Sequence, residues 1–486
     1  MLFNSYLYLI LFLPLTYAVY FYLNAKAWHR LALGTLTLAS LGFYAFWNIN
    51  HLPILLGSIV GNYLLGSYLA KGTTTPRKRK ISLMFGIAAN IGLLAYFKYA
   101  DFLIENLNQF SHTHLETLNL ALPLAISFFT FLQIAYLVDV YKKPGERYSL
   151  EAYALFVTFF PHLIAGPIVH HKDLIPQFSD LEKRQVAYQN IALGLFLIGI
   201  GLFKKVIIAD TFAITADSGF GTRTPLLLLE AWVTSLSYTF ELYFDFSGYS
   251  DIAIGSALLF NITLPNNFDS PYKAKNIQDF WRRWHITLSN FLRDYLYIPL
   301  GGNRVGPVRE IANVILVFLL GGLWHGAGWT FIIWGILHGS AMALYRLWQK
   351  ANISMPTMLA WFITFQFVNI AWIFFRARDM ERAIRMLKGM GGMNGIALPR
   401  FLEPYVLFFE PQITFGNVFA HIKLHDILVP LLWLPIALAV VLYMKNSNEL
   451  ASKFKPNTAS LAATIILFVV SLYSMNTVSE FIYFNF

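Results

Sequence analysis

The sequence has no cysteine among its 486 residues. Disulfides, thiolate metal sites and a cysteine nucleophile are therefore excluded, and the redox compartment cannot be read from it. Charge is also scarce. Asp, Glu, Lys and Arg make up 13% of the chain, where soluble domains carry about 25%. Acids are the scarcer sign, 26 against 36 Lys and Arg, which leaves a net charge of +10. There is no low-complexity segment and no internal repeat, so disorder and inverted-repeat transporter symmetry find no support. No His-x-x-x-His or Glu-x-x-His spacing falls on a helix, and no metal site is expected. Gly301-Gly302-Asn303-Arg304 lacks the spacing of a phosphate-binding loop. The basic residues sit between apolar runs, so no nucleic-acid partner is expected.

What is abundant is apolar surface. Hydrophobic residues reach 57% and aromatics 17%, and mean hydropathy is +0.54. A helix needs about 20 mostly apolar residues to cross a bilayer. Candidates lie near 5–24, 31–48, 53–70, 81–98, 119–140, 151–169, 189–209, 226–245, 249–264, 311–324, 328–348, 357–375, 428–444 and 459–478. Several are short or broken. The expectation is an all-α, polytopic integral membrane protein with about 10–12 spans, the rest re-entrant. The N-terminus has no basic n-region, so 5–24 reads as a retained span. Basic loops at 26–30, 71–80 and 142–147 alternate with the acidic loop 99–118, which puts the N-terminus outside and the basic loops in the cytoplasm. Anionic membrane lipids are the other partner such loops suit. We read 1–486 as one membrane domain: N-terminal helices to 150, a core over 151–350, and C-terminal helices over 351–486 that carry an insertion at 376–427.

Ionisable residues inside apolar spans are costly and mark functional candidates. One set is Glu241, Asp245 and Asp251, with Gly248 expected to break the run between them. Together with Asp294 they form either a buried structural network paired with arginines or an ion or proton site. A second set is Phe280-Trp281-Arg282-Arg283-Trp284-His285, continuing to Arg293-Asp294-Tyr295. On one helix, Trp281, His285, Leu288 and Leu292 would share a face, and a lone histidine there is usually a satisfied core residue. The third set is Gly321-Gly322-Leu323-Trp324-His325-Gly326-Ala327-Gly328, a histidine among glycines deep in an apolar stretch, followed by His338-Gly339. In one straight helix the two histidines would face different directions, about 220° apart.

The stretch from Tyr238-Thr239-Phe240-Glu241-Leu242-Tyr243-Phe244-Asp245 through Phe280-Trp281-Arg282-Arg283-Trp284-His285 and Tyr297-Ile298-Pro299-Leu300-Gly301-Gly302-Asn303-Arg304 to Leu323-Trp324-His325-Gly326 resembles the membrane-bound O-acyltransferase (MBOAT) family. It is similar to the bacterial branch that contains alginate O-acetyltransferases and the membrane subunit of peptidoglycan O-acetyltransferases. Phe160-Pro161-His162 and Ala165-Gly166-Pro167-Ile168 fit the same branch, and the resemblance covers roughly residues 1–390. It implies a ring of helices around a tunnel, with acetyl-CoA as donor substrate, no bound cofactor, and a cell-envelope polysaccharide as final acceptor. A separate periplasmic SGNH-type acetyltransferase is the implied partner, and the bacterial inner membrane the implied location. His325 matches the family's essential histidine and His285 its second signature position. The expected roles are general base or acetyl carrier for His325, and orientation of the thioester or stabilisation of the oxyanion for His285. Arg282, Arg283, Trp324, Tyr297, Asn303 and Arg304 are candidates for binding substrate or CoA. Two alternatives stay open: an acetyl-group or ion-coupled carrier without chemistry, and a lipid or protein O-acyltransferase.

Overall fold

The computed structural model describes residues 1–71, 75–145, 147–164, 166–405, 413–475 and 479–485. Ala165 of the Gly166-Pro167 motif, Glu146 of the 142–147 loop, 72–74 of the 71–80 loop and 406–412 of the insertion lie outside the described residues. Among the described residues, seven helices are long and apolar enough to cross a bilayer: Leu7–Ala25, Ile49–Ala70, Pro76–Lys98, Tyr188–Gly221, Pro307–His325, Thr357–Arg376 and Leu424–Tyr443. Five more reach 17 residues or longer: His29–Ala45, Ile126–Lys142, Leu228–Leu259, Trp329–Lys350 and Thr458–Ser474. The β-structure described is one parallel pair, Ile396–Leu398 with Ile413–Phe415, inside the 376–427 insertion. The chain is thus an all-α, multi-pass membrane protein.

Two expectations about helix breaks need correction. The runs 226–245 and 249–264 form a single helix of 32 residues, Leu228–Leu259, and Gly248 does not interrupt it. A glycine inside a helix costs only about 1 kcal/mol, and burial on both sides of Gly248 outweighs that. The segment 280–292, read as one helix, is two short ones, Ile277–Arg283 and Ile286–Leu292. Within the apolar run 151–169, Leu150–Thr158 and Phe160–Leu163 meet at Phe159, just ahead of Pro161.

The chain folds into two compact units whose limits fall at 202, 248, 266 and 450. The first comprises Met1–Leu202, Tyr249–Asn266 and Ala451–Asn485. Its helices approach closely where glycine removes a side chain. A methyl on Gly194 would lie 2.8 Å from Gly255 O, and one on Gly255 would lie 2.6 Å from Gly194 O. Small residues are how helices pack when lipid offers no hydrophobic contrast. A core of Phe3, Tyr8, Phe12, Phe43 and Phe160 fills the space beside the N-terminal span. Its basic residues are partly paired, Lys172 with Asp139 at 2.9 Å.

The second unit comprises Phe203–Gly248 and Asn267–Leu450, and it contains every histidine motif singled out above except His162. Its insertion begins with the amphipathic helix Met380–Met390, which buries Ala383, Met386, Gly389 and Met390. That segment caps the start of the Leu228–Leu259 helix. Leu228 N donates to Gly395 O at 3.2 Å, Asn394 Nδ2 to Leu226 O at 3.1 Å, and Trp232 Nε1 to Met390 O at 3.0 Å. The buried Glu230 carboxylate accepts from the backbone N–H groups of Leu227 and His421. The insertion therefore lies at the same end of this unit as the 222–227 loop.

Candidate active site

The His325 motif is the tip of a helical hairpin. Pro307 opens the outgoing helix, where its fixed φ suits the first turn. The backbone turns extended at Gly326, and the return helix Trp329–Lys350 begins after Gly328. The two helices touch backbone to backbone. A methyl on Gly335 would sit 2.5 Å from Phe318 O, and one on Gly339 would sit 2.9 Å from Ile315 Cα. This approach presses the His325 ring edge-on against aromatic faces: Trp324 at 4.8 Å, Phe375 at 4.9 Å and Trp334 at 5.1 Å. His325 is buried.

The hairpin also changes the place of His338. With the helix folded back, its ring lies 4.8 Å from the same Trp334 that His325 touches. The opposed directions of a straight helix do not apply. Trp281 Nε1 donates to His338 Nδ1 at 3.2 Å. An indole N–H can only donate, so the neutral His338 carries its proton on Nε2.

His285 is not on the helical face expected for it. It is the joint between the two short helices, in the left-handed region at φ 41°, ψ 55°, and has no solvent exposure. Its ring stands edge-on to Phe246 at 4.8 Å and lies 6.3 Å from Trp324. Nδ1 is 3.1 Å from Asn267 Oδ1, and Nε2 meets no hydrogen-bonding group among the described residues. Burial alone pulls this imidazole down to about 3, so it is neutral at physiological pH. Trp324 thus links the two histidines predicted from sequence, in contact with one ring and near the other.

The other predicted residues divide. Arg283 pairs with Asp279 at 2.8 Å and lies 3.9 Å from Asp269, not with Asp245, Asp251 or Asp294. Arg282, Asn303 and Arg304 are exposed. Tyr297 accepts from Arg346 at 2.9 Å, and Arg346 also holds Glu310 at 2.7 Å. The acidic set is not one network of arginine pairs. Arg293 donates to its neighbour Asp294 at 2.7 Å. Asp245 instead meets a lysine: Lys205 Nζ is 2.6 Å from Asp245 and 3.0 Å from Asp210, with Lys205 and Asp245 both buried. Glu241 lies one helical turn before Asp245, also buried.

Sequence reading passed over Lys205, Asn267, Trp334 and Phe375. Lys205 had a signal, being a cation inside the apolar run 189–209. Asn267 had none, because it lies in an irregular segment 18 residues before His285. Among the described residues no group of side chains suits a metal ion. His421 and His425 have the spacing of a helical pair, but His421 precedes the helix at Leu424–Tyr443 and its Nδ1 lies 3.0 Å from Glu230.

A family model for MBOAT, the membrane-bound O-acyltransferase family, matches residues 64–378. The chain belongs to this family. It is 48% identical to a peptidoglycan O-acetyltransferase of Helicobacter pylori, over 100% of this chain and 98% of the relative. It is 42% identical to a probable alginate O-acetylase of Pseudomonas aeruginosa, over 80% and 75%. A teichoic acid D-alanyltransferase of Bacillus subtilis is 28% identical over 54% and 71%. The MBOAT match includes both histidine motifs and the hairpin. The chain is therefore a membrane acyltransferase, and an enzyme.

Proposed function

We propose that this MBOAT enzyme is an O-acetyltransferase that takes acetyl from cytoplasmic acetyl-CoA and delivers it outward for O-acetylation of a cell-envelope polysaccharide. Peptidoglycan is the first acceptor to test, because the likeness to a peptidoglycan O-acetyltransferase covers 100% of this chain and 98% of the relative. The protein would lie in the inner membrane with its N-terminus outside, and would hand acetyl to a periplasmic SGNH-type acetyltransferase.

The observation that carries the reading is the pair of buried imidazoles, His325 and His285, joined through Trp324 at the tip of a glycine-packed hairpin. Transfer from a thioester to a hydroxyl needs a group to take the hydroxyl proton and a dry environment that spares the thioester from hydrolysis. Two buried imidazoles among aromatic rings supply both. The exposed Arg282 and Arg304 are the side chains left to meet CoA phosphates, since Arg283 is held by Asp279. A carrier without chemistry would use Asp245 as an ion ligand, but Lys205 already occupies that carboxylate.

The test is His325→Ala in the producing cell, with protein level controlled and polymer-bound acetate measured. Loss of acetate is expected, and full acetylation would overturn the mechanism. Release of CoA from acetyl-CoA by purified protein separates an enzyme from a carrier.

A further inference from the structure

The local bonding around His285 goes further, because it decides which nitrogen carries the proton. Asn267 Oδ1 lies 3.1 Å from His285 Nδ1. The same atom accepts from Thr287 Oγ1 at 2.7 Å and from the Thr287 backbone N–H at 3.4 Å. A backbone N–H can only donate, so the amide atom facing it is the oxygen and not the NH2. An amide oxygen can only accept. His285 Nδ1 must therefore carry the proton, and the Nε2 lone pair is left with no partner among the described residues. The left-handed backbone at His285 is costly for a residue with a Cβ, and the Asn267 bonds to both sides of the turn hold it there.

We propose that Asn267 is a positioning residue that holds His285 in the Nδ1–H tautomer, so that His285 Nε2 is the proton acceptor in acetyl transfer. This rests on the acetyl-transfer reading above. It replaces the oxyanion role expected for His285, since a neutral imidazole with a bare Nε2 has no proton there to donate. The step balances. As the acceptor oxygen forms its bond to the acetyl carbon, its proton passes to Nε2. The C–S bond breaks, and the leaving thiolate takes that proton back, restoring the tautomer. His325, against Trp324, Trp334 and Phe375, is left to face the acyl group. His338 is an internal contrast, since Trp281 imposes the opposite tautomer on it.

The experiment uses the full-length protein in lipid nanodiscs, labelled with 15N-histidine, with His285→Gln assigning the signal. Wild type should show His285 protonated at Nδ1 and bare at Nε2, with His338 the reverse. In acetyl-CoA turnover, Asn267→Leu should lose about 100-fold or more in kcat, with KM for acetyl-CoA changed less than about threefold. Asn267→Asp keeps the oxygen acceptor and should retain kcat to within about tenfold. His285 protonated at Nε2 in wild type overturns the assignment whatever the activity and however the variants fold. An Asn267→Leu enzyme with wild-type kcat overturns it as well. Wild-type protein with the expected tautomers but no thioester cleavage overturns the acetyl-transfer reading and leaves the tautomer assignment standing.

Discussion

Replacing Gly335 by alanine tests whether the hairpin, and not its histidines alone, makes the site. The new methyl would lie 2.5 Å from Phe318 O, 3.0 Å from Leu319 Cα and 3.1 Å from Phe318 C. All three are backbone atoms of the facing helix, so no side chain can rotate away. Relief requires the helices to part by roughly the difference from an ordinary carbon contact of about 3.5–4 Å, which is close to 1 Å. Overpacking of this kind costs about 1–3 kcal/mol, and the better helix propensity of alanine returns about 1 kcal/mol. Net destabilisation should then be about 0–2 kcal/mol, and the protein should still fold. Activity should suffer more. Trp334, the neighbour of Gly335, packs against His325 at 5.1 Å and His338 at 4.8 Å, and a misplacement of 1 Å near a reacting group costs about 100-fold. The assay is CoA release from acetyl-CoA by purified Gly335→Ala in nanodiscs, with thermal unfolding in parallel. Gly57→Ala is the control, because a methyl there meets nothing within 4 Å. It should leave both activity and unfolding unchanged. Gly335→Ala with wild-type kcat would refute the reasoning, as would equal losses in the two variants.

Lys205→Met should destabilise the fold by about 3–5 kcal/mol, because it removes the lysine that the buried Asp245 carboxylate meets at 2.6 Å. Adding Asp245→Leu should recover most of the loss in detergent unfolding, and a double variant as unstable as the single one would mean the pair is not what matters. Burial holds His285 near 3 in the folded protein, below its ordinary value of about 6.5. Its contribution to stability is therefore complete above about pH 6.5 and is lost as pH falls from there towards 3. Over that window this one group should give a slope of about 1.4 kcal/mol per pH unit. His285→Gln should remove it from unfolding curves taken at pH 4, 5 and 7, and an unchanged slope would show the imidazole to be hydrated in the fold.

Much of this protein is legible in its sequence because bilayer physics is legible there. A chain with 57% hydrophobic residues and 13% charged ones has few ways to satisfy its backbone except as helices in lipid. The spans near 5–24, 53–70, 81–98, 311–324 and 357–375 appear within a few residues of their predicted limits. His285 and His325 stood out because polar residues amid apolar ones are conspicuous, and their motifs named the family. Helix continuity was harder. Gly248 looked like a break and is not, while Trp284-His285 looked helical and is a joint. In both cases tertiary bonds override local propensity.

The sequence by itself determined the solvent, most of the long helices and the family, since each follows from residue type and short-range spacing. The tertiary structure alone decided which groups meet. Lys205 answers Asp245 across two helices, and the hairpin folds His338 back onto the Trp334 that His325 touches. Asn267, from an irregular segment 18 residues away, sets the proton on His285. Tautomer and pairing depend on atoms within about 3 Å of one another, and no periodicity along the chain encodes that distance.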